Sequence, residues 1–148
     1  MAKFVWGAVC RRIIIDSGSN LVSYIDLIEA IRVPAFPIAI GPLWVGTRFE
    51  KTEEGIEGVE ARASLIAGDE SRPLYTTGGA VSLQANHRRG RIHMLFADVT
   101  LPRPGHYRVV IEQKDGNSWT EVARYPLEVD EITPEQREKR KVAKKVAT

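Results

Sequence analysis

The histidines and the cysteine are the residues of this chain best suited to catalysis or metal binding. There are three histidines, His87, His93 and His106, and a single cysteine, Cys10. No two histidines have the close spacing of an HxH or HExxH motif, and one cysteine cannot complete a zinc finger. The chain also lacks a G-x-S-x-G elbow and a dinucleotide-binding fingerprint. The sequence therefore predicts no catalytic residue, no metal ligand and no cofactor.

Two surface features indicate binding instead. Arg88, Arg89 and Arg91 crowd one short segment, and guanidinium groups can hold an anion through two parallel hydrogen bonds. Trp119 follows an Asp-Gly turn signal, and an exposed Trp beside a turn is typical of protein or sugar contacts. A solvated basic turn and a packed aromatic ring are the alternatives. We take these four residues as the candidate binding surface.

The positive charge of the chain is concentrated at its C-terminal end. The net charge is +2, but residues 133–148 hold six Lys or Arg and two Glu, which leaves residues 1–132 at −2. A basic tail attracts polyanions without sequence preference, whereas a nearly neutral body argues against a nucleic-acid-binding face there. The candidate polyanion contacts are Arg137, Lys139, Arg140, Lys141, Lys144 and Lys145.

The same tail carries a helix start signal. Thr133 can cap, Pro134 suits the first helical position, and Gln136 completes the spacing of a capping box. The segment has no apolar stripe with which to pack on the body, and an isolated helix of this length is marginal in water. We therefore expect a globular domain over residues 1–132, followed by an extension over 133–148 that is a short basic helix or disordered.

The elements before the tail are predicted to be strands. Tyr107, Val109 and Ile111 alternate with polar residues, and Asp115-Gly116 is a strong hairpin signal. The Pro-rich segment before Tyr107 resembles a corner in which a buried Tyr returns its hydroxyl to the backbone. Pro126 cannot donate a ladder hydrogen bond, which predicts an edge or a bulge in the return strand.

Further alternation occurs at residues 59–65 and 92–97, and Phe4, Trp6, Ala8 and Cys10 are expected to share one face. Gly78-Gly79 is expected to form a bulge or a tight turn. Residues 21–33 fit either a helix or a strand. These patterns predict an all-β fold, an antiparallel β-sandwich of seven to eight strands that is immunoglobulin-like or a related Greek key.

The order of four segments carries a family resemblance. The chain reads CRRIIID, then NLVSYIDLIEAI, then PAFP, and finally LPRPGHYRVVIEQKDG. This order resembles a family of small bacterial proteins classed as a domain of unknown function, whose members look like stand-alone β-sandwiches. The resemblance covers about residues 4–129 and implies that residues 21–33 form a strand. It implies no activity, cofactor or catalytic residue.

Length and hydropathy limit the remaining classes. A chain of 148 residues fits a single domain, and it contains neither a convincing signal peptide nor an apolar stretch long enough to span a membrane. We therefore expect a cytoplasmic, non-enzymatic binding module, with an unidentified protein as its partner. The alternatives are a nucleic-acid-associated protein that uses its tail as an electrostatic tether, and a small enzyme with an unrecognised site.

Overall fold

The fold is all-β with one C-terminal helix. A computed structural model describes residues 1–147. In these residues nine strands precede the helix: β1 (Lys3–Ile15), β2 (Val22–Leu27), β3 (Ala30–Val33), β4 (Ile38–Glu50), β5 (Glu57–Ala67), β6 (Tyr75–Leu83), β7 (Arg89–Leu101), β8 (Gly105–Asp115), β9 (Ser118–Glu131) and α1 (Pro134–Ala147). The predicted all-β class is confirmed, and the predicted number of seven to eight strands is too low.

The strands form two sheets. The first sheet has the order β2-β1-β4-β7, and the second has the order β3-β9-β8-β5-β6. Adjacent strands are antiparallel except for β3 and β9, which are parallel, so the expectation of a purely antiparallel fold is wrong at this one pair. The chain reaches β3 from β2 of the other sheet and not through a hairpin turn, so β3 can pair in parallel with β9.

The main hydrophobic core contains side chains from both sheets. Leu43, Val45 and Phe49 of β4 are fully buried together with Leu65 and Ile111 of the second sheet. Alternation places these side chains on the inner faces because successive residues of a strand point to opposite sides. The alternating patterns at 59–65, 92–97 and 107–111 therefore predicted their buried faces correctly.

Residues 21–33 form two strands, as the family resemblance implied. β2 belongs to the first sheet and β3 to the second, and Ile28 and Glu29 make the crossing between them. The Ile28 amide donates to the Val9 carbonyl at 2.8 Å, and the Glu128 amide donates to the Glu29 carbonyl at 3.0 Å. The crossing is therefore fixed to both sheets.

The hairpin of β8 and β9 is formed as predicted. The turn lies between Asp115 and Ser118, and Gly116 adopts a φ of 60°, which glycine tolerates without a Cβ clash. Tyr107 is buried, and its hydroxyl donates to the Arg103 carbonyl at 2.6 Å, so the expected tyrosine corner is present. Pro126 lies just outside the stretch of β9 that pairs with β3, so its missing amide removes no hydrogen bond to β3. β9 itself lies between β3 and β8 and is not an edge strand, and its register with β8 is regular at Pro126, so the expected edge or bulge is wrong there.

The expectation of a turn or bulge at Gly78-Gly79 is wrong. Both glycines lie inside β6 and pair regularly with Arg62 and Ala61 of β5. Glycine is required there by packing, since a Cβ on Gly79 would lie 2.6 Å from Cγ2 of Ile92. The pair thus lets β6 approach β7 of the other sheet closely.

The tail is helical over Pro134–Ala147 and none of its side chains is buried. The predicted capping box is formed, with the Gln136 amide 3.3 Å from the Thr133 hydroxyl and the Thr133 amide 3.1 Å from the Gln136 side-chain oxygen. Arg137 also donates to the Pro34 carbonyl, which holds the first turn against the body. Within residues 1–147, the model contains no helix with the length and apolarity needed to cross a membrane.

Candidate binding cleft

An apolar cleft of about 530 Å³ lies at one side of the two sheets, where β1 faces β9. We call it the β1–β9 cleft. Three separate parts of the chain build it: one stretch of β1, the crossing from β2 to β3, and the middle of β9. The lining residues are Trp6, Gly7, Ala8, Val9, Leu27, Ile28, Glu29, Tyr125, Pro126 and Glu128.

A bulge in β1 places Trp6 at the rim of this cleft. The register with β4 shifts between Phe4 and Trp6. Phe4 consequently points inward, where its ring meets Phe49 edge-on with centroids 5.7 Å apart, while Trp6 points outward and is 42% exposed. The expectation that Phe4 and Trp6 share a face is therefore wrong, because an inserted residue reverses the alternation.

The floor of the cleft depends on a glycine. A Cβ on Gly7 would lie 2.9 Å from the Tyr125 hydroxyl, so only glycine allows this close approach between β1 and β9. The Gly7 amide also hydrogen-bonds to that hydroxyl. Burial raises the pKa of Tyr125, against a smaller opposing contribution from this hydrogen bond, so the phenol stays neutral at physiological pH.

The charged side chains that line the cleft are both acidic. Glu29 is exposed at the crossing, and Glu128 follows on β9. Oε1 of Glu128 lies 2.7 Å from Nδ1 of His106, which is itself largely exposed. The cleft therefore combines an apolar interior with two carboxylates at one end.

The outer face of the first sheet carries a partly buried aromatic cluster, formed by Tyr24, Trp6 and His93, next to the cleft. The ring of Tyr24 lies against Gly46, where a Cβ would be 2.3 Å from Cε1 of Tyr24. The same ring meets Trp6 edge-on at 4.9 Å between centroids, and its hydroxyl is 3.2 Å from Nε2 of His93. Burial, with a smaller contribution from the nearby Arg91, lowers the pKa of His93, which favours the neutral imidazole.

This cluster requires the β1–β2 hairpin to fold back over the sheet. Gly46 pairs with Ala8, whereas Tyr24 pairs with Ile13. Ile13 lies about 16 Å beyond Ala8 along an extended strand at ~3.3 Å per residue, too far for a flat sheet to bring Tyr24 onto Gly46. The hairpin therefore turns back and covers Ala8 and Cys10, which are buried outside the core shared by the two sheets.

Cys10 is buried completely and packs as a small hydrophobic residue. Burial raises the pKa of its thiol, so the reactive thiolate is disfavoured. Within residues 1–147, no group of three or more His, Cys, Asp or Glu side chains is placed to hold a metal ion.

The structure does not gather the three predicted arginines into one anion site. Nη2 of Arg91 donates to the Asn20 side chain at 2.8 Å, where it fastens the folded-back hairpin. Arg89 lies 3.7 Å from Glu50 instead. Arg88 lies in the loop before β7, in a separate depression that also contains Lys51. Two of the three guanidinium groups thus already have neighbours of their own.

Trp119 is half-buried, which lies between the exposed ring and the packed ring that the sequence allowed. The Arg62 guanidinium lies over its ring at 4.3 Å from the centroid, and Nζ of Lys114 lies at 5.9 Å. Nε of Arg62 is in turn 2.6 Å from Oε2 of Glu112. One face of the Trp119 ring is therefore already occupied by a side chain of this same chain.

The predicted polyanion contacts of the tail all lie on α1. Arg137 is engaged with the body, and Lys141 lies 3.3 Å from Glu138 one turn earlier. The side chains of the helix are exposed throughout residues 134–147. Helix formation therefore presents the basic residues as one compact group instead of distributing them along a coil.

Comparison with known proteins gives no family. No family model and no curated protein matches the chain. Among solved structures it aligns with the alkylpurine DNA glycosylase AlkC of Pseudomonas fluorescens, bound to DNA containing an abasic site analog, at 9% identity and a TM-score of 0.43, over 84% of this chain and 30% of that one. It also aligns with a β-glucosidase of Listeria innocua, in complex with isofagomine, at 14% identity and a TM-score of 0.40. This alignment covers 87% of this chain and 16% of the glucosidase. The chain spans less than a third of either protein, and no functional argument rests on these alignments.

Proposed function

We propose that the protein is a non-enzymatic binding module of the cytoplasm whose ligand occupies the β1–β9 cleft. The observation that carries this proposal is an apolar cleft with the half-exposed Trp6 at its rim and the exposed Leu27 beside it. Concave apolar surfaces with a few placed polar groups are the usual form of a binding site. Tryptophan is also enriched among the residues that contribute most binding energy.

The proposed architecture is a β-sandwich related to the immunoglobulin fold. Two sheets with a common core support it, together with the tyrosine corner at Tyr107 and Arg103. A rigid scaffold of this kind can present binding residues on its surface, and the site, not the fold, decides the function. The proposed domain comprises residues 1–132, with 133–148 as an extension.

Selection from a displayed library of random peptides tests this proposal. Ligands selected on the full-length protein would be measured by calorimetry against Trp6→Ala and against Trp119→Ala as the matched control. We expect Trp6→Ala to weaken binding by about tenfold or more, the range of a strong interface residue, and Trp119→Ala to leave it unchanged. Equal affinity for Trp6→Ala and the wild type would contradict the assignment of the cleft.

The exposed basic helix supports a second candidate function, association with polyanions. Six cations on α1 would give a log–log salt slope no steeper than about −5, at ~0.9 per phosphate neutralised. Titration with random-sequence DNA at two salt concentrations tests this. The full-length chain would be compared with a variant in which glutamine replaces the six cations. Salt-insensitive binding that survives this replacement would contradict the tail as the contact.

A further inference from the structure

We propose that the occupant of the β1–β9 cleft is an extended segment of another protein that adds a strand to the open edge of β9. This segment would place an apolar side chain in the cleft and a Lys or Arg beside Glu29 and Glu128. The inference rests on the proposed function, since it names the class of ligand that the cleft receives.

The first observation is an unpaired strand edge. Within residues 1–147, β3 is the only strand next to β9 on this side, and it pairs only with Glu128–Glu131. The part of β9 that lines the cleft, at Tyr125 and Pro126, precedes that stretch. An added strand would therefore continue the column that β3 begins, in the manner of β-strand addition to an exposed sheet edge.

The second observation is the direction of the backbone groups along this edge. The amides of Glu128 and Ile132 donate to Glu29 and Val33, away from β8. Backbone groups of residues two apart point the same way, so the Arg124 amide and the carbonyls of Arg124 and Pro126 face the cleft side as well. Pro126 has no amide hydrogen. This edge therefore has one donor, the Arg124 amide, and two acceptors, the carbonyls of Arg124 and Pro126. A peptide strand can match that short pattern.

The third observation is the arrangement of apolar side chains beside this edge. Trp6 and Leu27 are 42% and 60% exposed, and both line the cleft. An extended segment on the edge directs every second side chain to the same side, so one of its side chains would enter the cleft between Trp6 and Leu27.

The fourth observation is charge. Glu29 and Glu128 are the charged residues of the lining. Glu128 lies 2.7 Å from Nδ1 of the exposed His106, and the neighbouring Arg124 is already paired with Glu121 at 2.8 Å. A cationic side chain on the incoming segment would be favoured by the two carboxylates, whereas an acidic one would be repelled. The preferred partner is therefore an extended, apolar segment that contains Lys or Arg.

The test uses synthetic peptides with alternating valine and phenylalanine and one lysine, together with copies in which glutamate replaces the lysine. Fluorescence anisotropy on the full-length protein measures affinity. We expect the lysine peptide to bind about tenfold more tightly than the glutamate peptide at low salt, and this preference to fall as salt is added. We expect the double change Glu29→Gln and Glu128→Gln to abolish the preference, while Glu60→Gln, on the outer face of the second sheet, retains it.

Backbone pairing has its own readout. Methylation of successive peptide nitrogens should weaken binding at alternate positions by about tenfold and have little effect at those between, because only alternate amides face β9. Hydrogen exchange of the Arg124 amide should slow in the complex, whereas that of the Thr120 amide, nearer the β8–β9 turn, should change less.

The outcomes separate the two proposals. Binding that requires Trp6 but is indifferent to nitrogen methylation and to peptide charge would overturn strand addition and leave the cleft as a binding site. Peptide binding that is unaffected by Trp6→Ala would overturn both. Concentration-dependent dimerisation that Trp6→Arg abolishes would show that a second copy of the chain fills the cleft, and would also overturn this inference.

Discussion

The outer faces of the two sheets are built in different ways. On the second sheet, ion pairs such as Arg62 with Glu112 and Lys114 with Glu60 hold the exposed side chains. On the first sheet, the β1–β2 hairpin folds back and buries Ala8 and Cys10 beneath Tyr24. The outer face of the first sheet therefore contains a second, smaller core, whereas the outer face of the second sheet is a solvated polar surface.

The surroundings of Trp6 and Trp119 differ accordingly. Trp119 lies on the polar face and is covered by Arg62 at 4.3 Å. Trp6 lies at the border of the aromatic cluster, where Tyr24 meets one part of its ring and the cleft opens beside it. The contact with Arg62 therefore distinguishes Trp119 from Trp6, although each ring borders a depression of the surface.

The largest expected change in stability separates a glycine on the outer face of the first sheet from one on the outer face of the second. We expect Gly46→Ala to destabilise the fold by about 1–3 kcal/mol, because its Cβ would lie 2.3 Å from Cε1 of Tyr24 and must displace the hairpin. Gly58→Ala on the other face has open space around its Cβ and should stay within about 0.5 kcal/mol. Denaturant unfolding measures both free energies.

A chemical readout accompanies that comparison. The Cys10 thiol should react slowly with a thiol reagent in the wild type and in Gly58→Ala, and faster in Gly46→Ala, because the displaced hairpin no longer covers it. Equal stability and equal labelling in the two glycine variants would show that the hairpin does not form a second core.

An intermediate effect is expected from pH. The pKa of His93 is lowered in the folded protein, so the unfolded chain binds more protons and stability falls as pH decreases through and below about 6.5. The contribution of neutral His93 to stability is fully present above the pKa that this histidine has in the unfolded chain. The melting temperature of His93→Gln should depend less on pH between about 7 and 5 than that of the wild type.

His106→Gln is the matched control for this measurement, since His106 is largely exposed beside Glu128 and lies outside the aromatic cluster. We expect His93→Gln to lose more of the pH dependence than His106→Gln, because burial beside Tyr24 lowers the pKa of His93. If His93→Gln retained that dependence unchanged, the pairing of Tyr24 with His93 would not contribute to closure of the hairpin.

The smallest expected effect concerns the polar face. A double-mutant cycle between Arg62 and Trp119 should give a coupling of about 0.5–1 kcal/mol, the range of an exposed cation–π contact. A cycle between Lys114 and Trp119, whose charge lies at 5.9 Å from the ring centroid, should give less. Equal couplings would show that the closer contact of Arg62 with the Trp119 ring contributes no more than the distant contact of Lys114.

Local signals predicted the parts of the fold that depend on neighbouring residues. The Asp115-Gly116 turn, the corner at Tyr107 and the capping box of Thr133 and Gln136 each involve a few adjacent residues and were predicted from them. Residues 21–33 fit either a helix or a strand because β2 and β3 belong to different sheets, and because Asp26, with a φ of 55°, interrupts the alternation near the end of β2.

The cleft could not be predicted, because its lining comes from three distant parts of the chain and depends on a bulge after Phe4. The composition of β1 does not reveal that inserted residue, which reverses the direction of Trp6. The surroundings of the arginines near residue 90 could not be predicted for a related reason. Their closeness in sequence is real, but β7 directs Arg89 toward Glu50 and Arg91 toward Asn20.

The ordering of the tail into α1 has a consequence for the length of polyanion that it could cover. An extended tail would distribute its cations over tens of ångströms. In the helix, Arg137 and Lys145 are separated by about 12 Å along the axis at ~1.5 Å per residue. That distance equals the rise of about three to four base pairs of duplex at ~3.4 Å each. One chain would therefore have a short footprint on nucleic acid, and many copies could bind side by side on one duplex.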